Sequence, residues 1–176
     1  MAYFLEVEVH MKEKTLVVDY NQIVQYKNLL LVNIILIVIA ILQPIAIVIN
    51  VFFGALSISI LVITLLLLRR ELQFHFSKLA SLASLVASGL TLIAAGALIY
   101  MMIIVLQTDY ADIDTMIQAV TNMLSPATGL NVWRMTLNYI GGGLYFVAGF
   151  GYYFRFQKLR RFIKSIDTSI DKQENQ

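Results

Sequence analysis

The chain contains no cysteine. Disulfides, thiolate metal sites, iron–sulfur ligation and thiol nucleophiles are therefore excluded together, and the redox compartment stays unspecified. Proline occurs only twice, and charged residues make up 14% of the sequence, against about 25% in a soluble domain. Between Leu29 and Leu68 there is no Asp, Glu, Lys, Arg or His at all. The two histidines, His10 and His75, belong to no cluster with metal-ligand spacing. Phosphate-cradling loops, serine-elbow motifs and nucleic-acid modules are also missing, and a net charge of +2 is too small to call for a nucleic-acid partner.

What is present is apolar: 59% of the 176 residues are hydrophobic and the mean hydropathy is +0.77. Soluble domains run nearer 45 to 50%, so a core of this size in water has no room for the excess, and a bilayer does. The stretch from Leu29 to Leu68 is 40 residues long. As one helix it would reach about 60 Å, twice a hydrocarbon core of about 30 Å, so it is expected to fold back as two crossings. The turn falls either at Gln43-Pro44 or near Asn50, with Pro44 then a kink. Two further stretches, Leu79 to Leu106 and Val132 to Tyr153, each span a bilayer, and Trp133 and Tyr152-Tyr153 place aromatic rings at both of its surfaces.

The predicted fold is an all-α integral membrane protein, a four-helix transmembrane bundle with crossings at about 29–48, 51–68, 79–106 and 132–153. A cytoplasmic segment 1–28 precedes it, an outer loop 107–131 joins the last two crossings, and a tail 154–176 follows. Of the 13 basic residues, only Arg134 falls on the outer side of this arrangement, so both termini are expected in the cytoplasm. No cleavable leader is expected, because residues 1–28 carry Glu6, Glu8, Glu13 and Asp19 ahead of an apolar stretch too long for a signal core. Absence of cysteine and of long loops leans the location toward a bacterial plasma membrane.

The segments outside the membrane carry patterns of their own. Leu5, Val7 and Val9 alternate with Glu6, Glu8 and His10, and Leu16-Val17-Val18 resumes after a charged break, which predicts a short hairpin. It either adds to the edge of a sheet in another subunit or remains a loose tail. In the outer loop, Ile113, Met116, Ile117, Val120, Met123 and Leu124 recur at helical spacing behind Asp112 and Asp114 and ahead of Ser125-Pro126. This predicts a short helix on the outer face of the bundle or among the headgroups. Beyond the last crossing, Leu159, Phe162, Ile163, Ile166 and Ile170 form an apolar stripe beside Arg155, Lys158, Arg160, Arg161 and Lys164. A basic amphipathic helix lying flat on anionic lipid headgroups is expected there, those five residues making the lipid contact.

Within the spans, Ala80, Ser84 and Ser88 repeat every four residues, as do Ala83, Ala87, Thr91 and Ala95, while Gly89 and Gly96 lie seven apart. Small residues at that spacing let helix backbones approach closely. Gly141-Gly142-Gly143 gives the last crossing a similar thin surface. Arg134 lies one turn before Asn138 and is expected to meet Asp109, Asp112 or Asp114, or else a partner subunit or an anionic ligand. The candidate partner-binding residues are thus Ala80, Ser84, Ala87, Ser88, Gly89, Ala95, Gly96, Arg134, Asn138 and Gly142.

Intramembrane Asp, Glu or His would mark ion-coupled transport, and none falls within the expected spans. A haem-bearing bundle wants an axial His or Met, for which Met101, Met102 and Met135 are poor substitutes. Glu71 and His75, four apart, are the one pair that could share a helix face as acid and base, and they are a weak signal for an enzyme. The expectation is a non-catalytic, multi-pass subunit without cofactor, packed by protein–protein interaction into a larger secretion, transport or respiratory assembly. Its partners would be other membrane subunits or copies of itself. Two alternatives remain: a homo-oligomeric pore or permeabilising protein, with Ser84, Ser88 and Thr91 turned toward a conduit, and a small membrane immunity or regulatory protein.

Overall fold

The computed structural model describes residues 6–11, 14–42, 54–125 and 129–174. Strands β1 (Glu6–Met11) and β2 (Lys14–Asp19) pair antiparallel, with Val7 opposite Val18 and His10 opposite Thr15. Among the described residues five helices follow: α1 (Tyr20–Ile41), α2 (Ala55–Gln73), α3 (Leu79–Gln107), α4 (Ile113–Leu124) and α5 (Gly129–Glu174). The described parts of the stretch expected to fold back lie in two helices, α1 and α2. Both candidate turns, Gln43-Pro44 and Asn50, lie outside the described residues.

Among the described residues two helices, α1 and α3, are long and apolar enough to cross a membrane, rather than the four expected from the sequence. The reason lies in the other two. The 19 residues of α2 include Arg69, Arg70 and Glu71, while the first half of α5 is diluted by Asn131, Arg134, Asn138 and six glycines. Inside α1, the buried positions are Ile23, Tyr26, Leu30, Asn33, Ile37 and Ala40. Steps of three and four alternate along that series, which keeps one seam of the helix turned inward, as in a left-handed helical bundle. Leu56, Ser57, Ile60, Thr64, Leu67 and Glu71 do the same for α2.

The main contacts form a ring: α1 on α2, α2 on α3, α3 on α5, and α5 back on α1. Along each contact one chain direction opposes the other, since Asn33 meets Thr64 while Tyr26 meets Glu71, and Ser88 meets Tyr145 while Ser81 meets Tyr152. Glycine sets the closest approaches. A Cβ on Gly141 would stand 2.8 Å from Thr91 Cγ2, and one on Gly151 would stand 2.8 Å from Ala80 Cβ. Gly54 opens α2 with φ of 69°, a left-handed conformation that only glycine adopts without strain.

The expected break after Tyr153 does not exist. α5 runs unbroken for 46 residues, about 69 Å, so the basic tail prolongs the last helix of the ring instead of lying flat as a separate element. Its apolar stripe explains the continuity: Leu159 and Ile163 are buried in the same core cluster as Ile23 and Tyr26 of α1, with Phe162 packed against it.

The helix expected from the spacing of Ile113 to Leu124, α4, forms there. Asp112 caps it, accepting a 2.7 Å hydrogen bond from the Thr115 N–H, while the Thr115 hydroxyl oxygen accepts one from the Asp112 N–H. That bond from the Thr115 backbone holds the Asp112 carboxyl below its ordinary range. A lowered folded-state value means that the cap is intact above the normal aspartate range and is lost as the pH falls through the lowered one. Protection of the Thr115 amide, measured against its intrinsic exchange rate at each pH, is accordingly expected to be lost only in strongly acidic solution, and in Asp112→Ala to be missing at every pH. Equal protection of Thr115 in both proteins would remove the cap from the account.

Candidate functional site

Polar side chains in this protein gather on the axis of the ring. Each long helix contributes them at intervals of seven or of three and four: Tyr26 and Asn33 from α1, Ser57, Thr64 and Glu71 from α2, Ser81, Ser84, Ser88 and Thr91 from α3, Tyr145 and Tyr152 from α5. All are buried. From Ser57 to Glu71 the seam extends about 21 Å along α2.

Three tiers of hydrogen bonds run along it. In the first, Ser57 Oγ donates to Thr91 Oγ1 at 2.9 Å, and the Tyr145 hydroxyl donates to Ser88 Oγ at 3.1 Å and lies 3.3 Å from Thr91 Oγ1. In the second, Asn33 Nδ2 donates to Thr64 Oγ1, which lies 2.9 Å from Ser84 Oγ, and Ser81 Oγ lies 2.9 Å from the Tyr152 hydroxyl. Ser88 and Thr91 also donate to carbonyls of their own helix, Ser84 O and Ala87 O, which satisfies hydroxyls that a bilayer cannot.

The third tier carries charge. Glu71 is fully buried in the last turn of α2. Its Oε1 accepts from Arg155 Nη1 and from the Tyr26 hydroxyl, the latter at 3.2 Å. The same Nη1 donates to the Tyr26 hydroxyl at 2.8 Å, and Nη2 donates to the Ser77 carbonyl between α2 and α3. One guanidinium thus joins α1, α2, α5 and the α2–α3 connection. Its Cζ lies 5.8 Å from the centroid of the Phe76 ring, and Phe76, Tyr26 and Phe74 pack together at centroid distances of 5.5 to 5.8 Å. Two buried acceptors, Glu71 Oε2 and Asn33 Oδ1, have no hydrogen-bond partner among the described residues.

Several expected placements change. Arg155 belongs to this interior tier and not to the headgroup-facing set, of which Lys158, Arg160, Arg161 and Lys164 are exposed. Glu71 and His75 share no helix face, because α2 ends at Gln73 and His75, with φ of 54°, stands exposed beyond it. Arg134 meets none of the loop aspartates through a hydrogen bond; its Nε donates 2.8 Å to Asn131 Oδ1, one turn back on α5. Asn131 is itself buried and donates to the Ser125 carbonyl.

Of the small residues, Ala80, Ser84, Ala87, Ser88 and Ala95 are buried within this chain's own ring. Gly89 and Gly96 are not used in that way, having none of the described residues within 4 Å of where a Cβ would sit. Asn138 and Gly142 are half-buried. Reading the sequence missed the seam as a unit, although its signal was present: Ser57, Thr64 and Glu71 stand seven apart in an otherwise apolar helix, and so do Tyr145 and Tyr152. Among the described residues no three of His, Asp and Glu come together to hold a metal ion.

Comparison of the chain with protein families, with curated proteins and with solved structures found no match. The class defined by its own chemistry is a helical protein with two helices able to cross a membrane and a polar axis closed by a buried ion pair.

Proposed function

We infer that the chain is a four-crossing membrane protein, with both termini on the cytoplasmic side, whose work is non-catalytic: it packs as a subunit into a larger membrane assembly. The observation that supports this is the inversion of polarity. On each helix of the ring large apolar side chains face outward, and Ile35 of α1, Leu65 of α2, Val86 of α3 and Phe150 of α5 are each about half exposed, at 51, 48, 55 and 50%. A bundle built for water puts its polar residues on that surface. The similar exposure on α2 and α5 supports their crossing along with α1 and α3. Arg69, Lys78, Lys158, Arg160 and Arg161 then stand exposed at the end that holds Glu71, the side on which basic residues are retained.

A subunit is favoured over a homo-oligomeric pore because the polar face that a conduit between copies needs is occupied inside one chain. Ser84 is bonded to Thr64, and Ser88 and Thr91 to Tyr145. The open glycines of α3 and an apolar groove between α1 and α5, floored by Gly149 and walled by Phe146, Phe150 and Tyr153, offer close seats for helices of other chains. Lys158, Arg160, Arg161 and Lys164 would meet anionic headgroups near the inner surface.

The test is extraction in a mild detergent, with particle mass and every co-purifying chain determined. Unlike chains in fixed ratio are expected, and Gly96→Leu should release them while the released chain stays folded. A closed ring of this chain alone that conducts ions in liposomes would replace the subunit with the pore.

A further inference from the structure

Helix α4 presents an apolar face that the rest of the chain leaves uncovered. Ile113 and Ile117 are 74 and 54% exposed, as open as the outward residues of the ring, and Met116 beside them is also exposed. The main contact of α4 is with α3. Opposite the apolar face stand Asp114, Gln118 and Asn122, so the helix has the two-sided character of one that lies along a surface.

We propose that α4 lies in the outer surface of the same bilayer, with Ile113, Met116 and Ile117 entering the boundary between headgroups and acyl chains. The proposal rests on the membrane reading given above. Three features of the chain select lipid over a protein partner. First, exposed apolar residues flank the helix on both sides in the chain, with Leu106 in the last turn of α3 78% exposed and Leu130 and Trp133 in the first turns of α5 both exposed. Second, Trp133 stands where the indole ring favours the headgroup level. Third, the capping box of Asp112 and Thr115 fixes the start of the helix without help from any other chain.

Charge adds a preference. The segment from Thr108 to Asn131 carries Asp109, Asp112 and Asp114 and no Lys, Arg or His. Such a helix is drawn in by its apolar face alone and is repelled by anionic headgroups, so a zwitterionic surface is the one it fits.

Because the chain has no cysteine, single ones report cleanly. Ile117→Cys, Gln118→Cys and Ile35→Cys are each labelled with an environment-sensitive fluorophore in the full chain and reconstituted in phosphatidylcholine vesicles. The label at 117 is expected to emit to the blue of the label at 118 and to be quenched by nitroxides placed at headgroup depth, while aqueous iodide quenches 118. Mixing in phosphatidylglycerol at low salt should shift 117 toward the behaviour of 118. The proposal is overturned if 117 and 118 behave alike in phosphatidylcholine, or if 117 is shielded from lipid and aqueous quenchers alike, which would put protein over it. Ile35 separates the two readings: quenching there by deep nitroxides with none at 117 removes only the outer helix from the bilayer, and no lipid quenching at 35 removes the membrane itself.

Discussion

Glu71→Ala is expected to destabilise the protein by about 3 to 5 kcal/mol, the usual cost of leaving one partner of a buried ion pair behind. The side chain of Arg155 is only 14% exposed. With the carboxylate gone, its charge would be left with the Tyr26 hydroxyl and the Ser77 carbonyl as its remaining hydrogen-bond partners, neither of which neutralises it. Arg155→Met should cost a comparable amount, because Glu71 would then be a fully buried carboxylate with one hydroxyl donor. Replacing both by methionine removes the charges together and should recover most of the loss, since an apolar pair of similar volume avoids the cost of desolvation. Reversible unfolding in mixed micelles of the two single variants and the double variant gives the coupling energy directly. Additive losses would mean that the pair does not act as a unit.

The second large effect concerns the contact between α3 and α5. In Gly151→Ala the new methyl meets Ala80 Cβ at 2.8 Å, and neither group can swing aside because each is fixed to its own backbone. One helix must move, at about 1 to 3 kcal/mol. The same substitution at Gly143 meets nothing within 4 Å and replaces a poor helix former by the best one, worth about 0.5 to 1 kcal/mol in the opposite direction. Opposite signs from one chemical change on one helix, read by the same unfolding assay, are the expected outcome. If both stabilise, α3 and α5 do not approach as closely as described.

How much of this was legible in the sequence depended on the length scale of the signal. The hairpin, the capped outer helix and the close-packing face of α3 were readable because each is local. Asp112 bonds to a residue three positions away, and the small residues of α3 repeat every four. The ion pair was not readable in the same way. Glu71 and Arg155 are 84 positions apart, and each sits beside other charges at the edge of an apolar stretch, where a boundary residue and an interior residue look alike. What distinguishes Glu71 from its neighbours Arg69 and Arg70 is phase: it continues the sevenfold series of Ser57 and Thr64. The tail was misplaced for a related reason. A basic amphipathic pattern describes a helix lying on lipid and a helix packed along α1 equally well, and only the burial of Leu159 and Ile163 separates them.

The placement of Arg155 on the last helix also orders events during synthesis. α1, α2 and α3 are complete in the nascent chain while the arginine that neutralises Glu71 is still to be made. At about 5 to 20 residues per second, the 84 residues between them take roughly 4 to 17 seconds. For that interval the growing protein holds an acid whose counter-ion does not yet exist, at the centre of an unfinished ring. Translation speed through the segment that encodes α5, and whatever shelters a three-helix intermediate, therefore bear on yield, as does the stability of the finished fold.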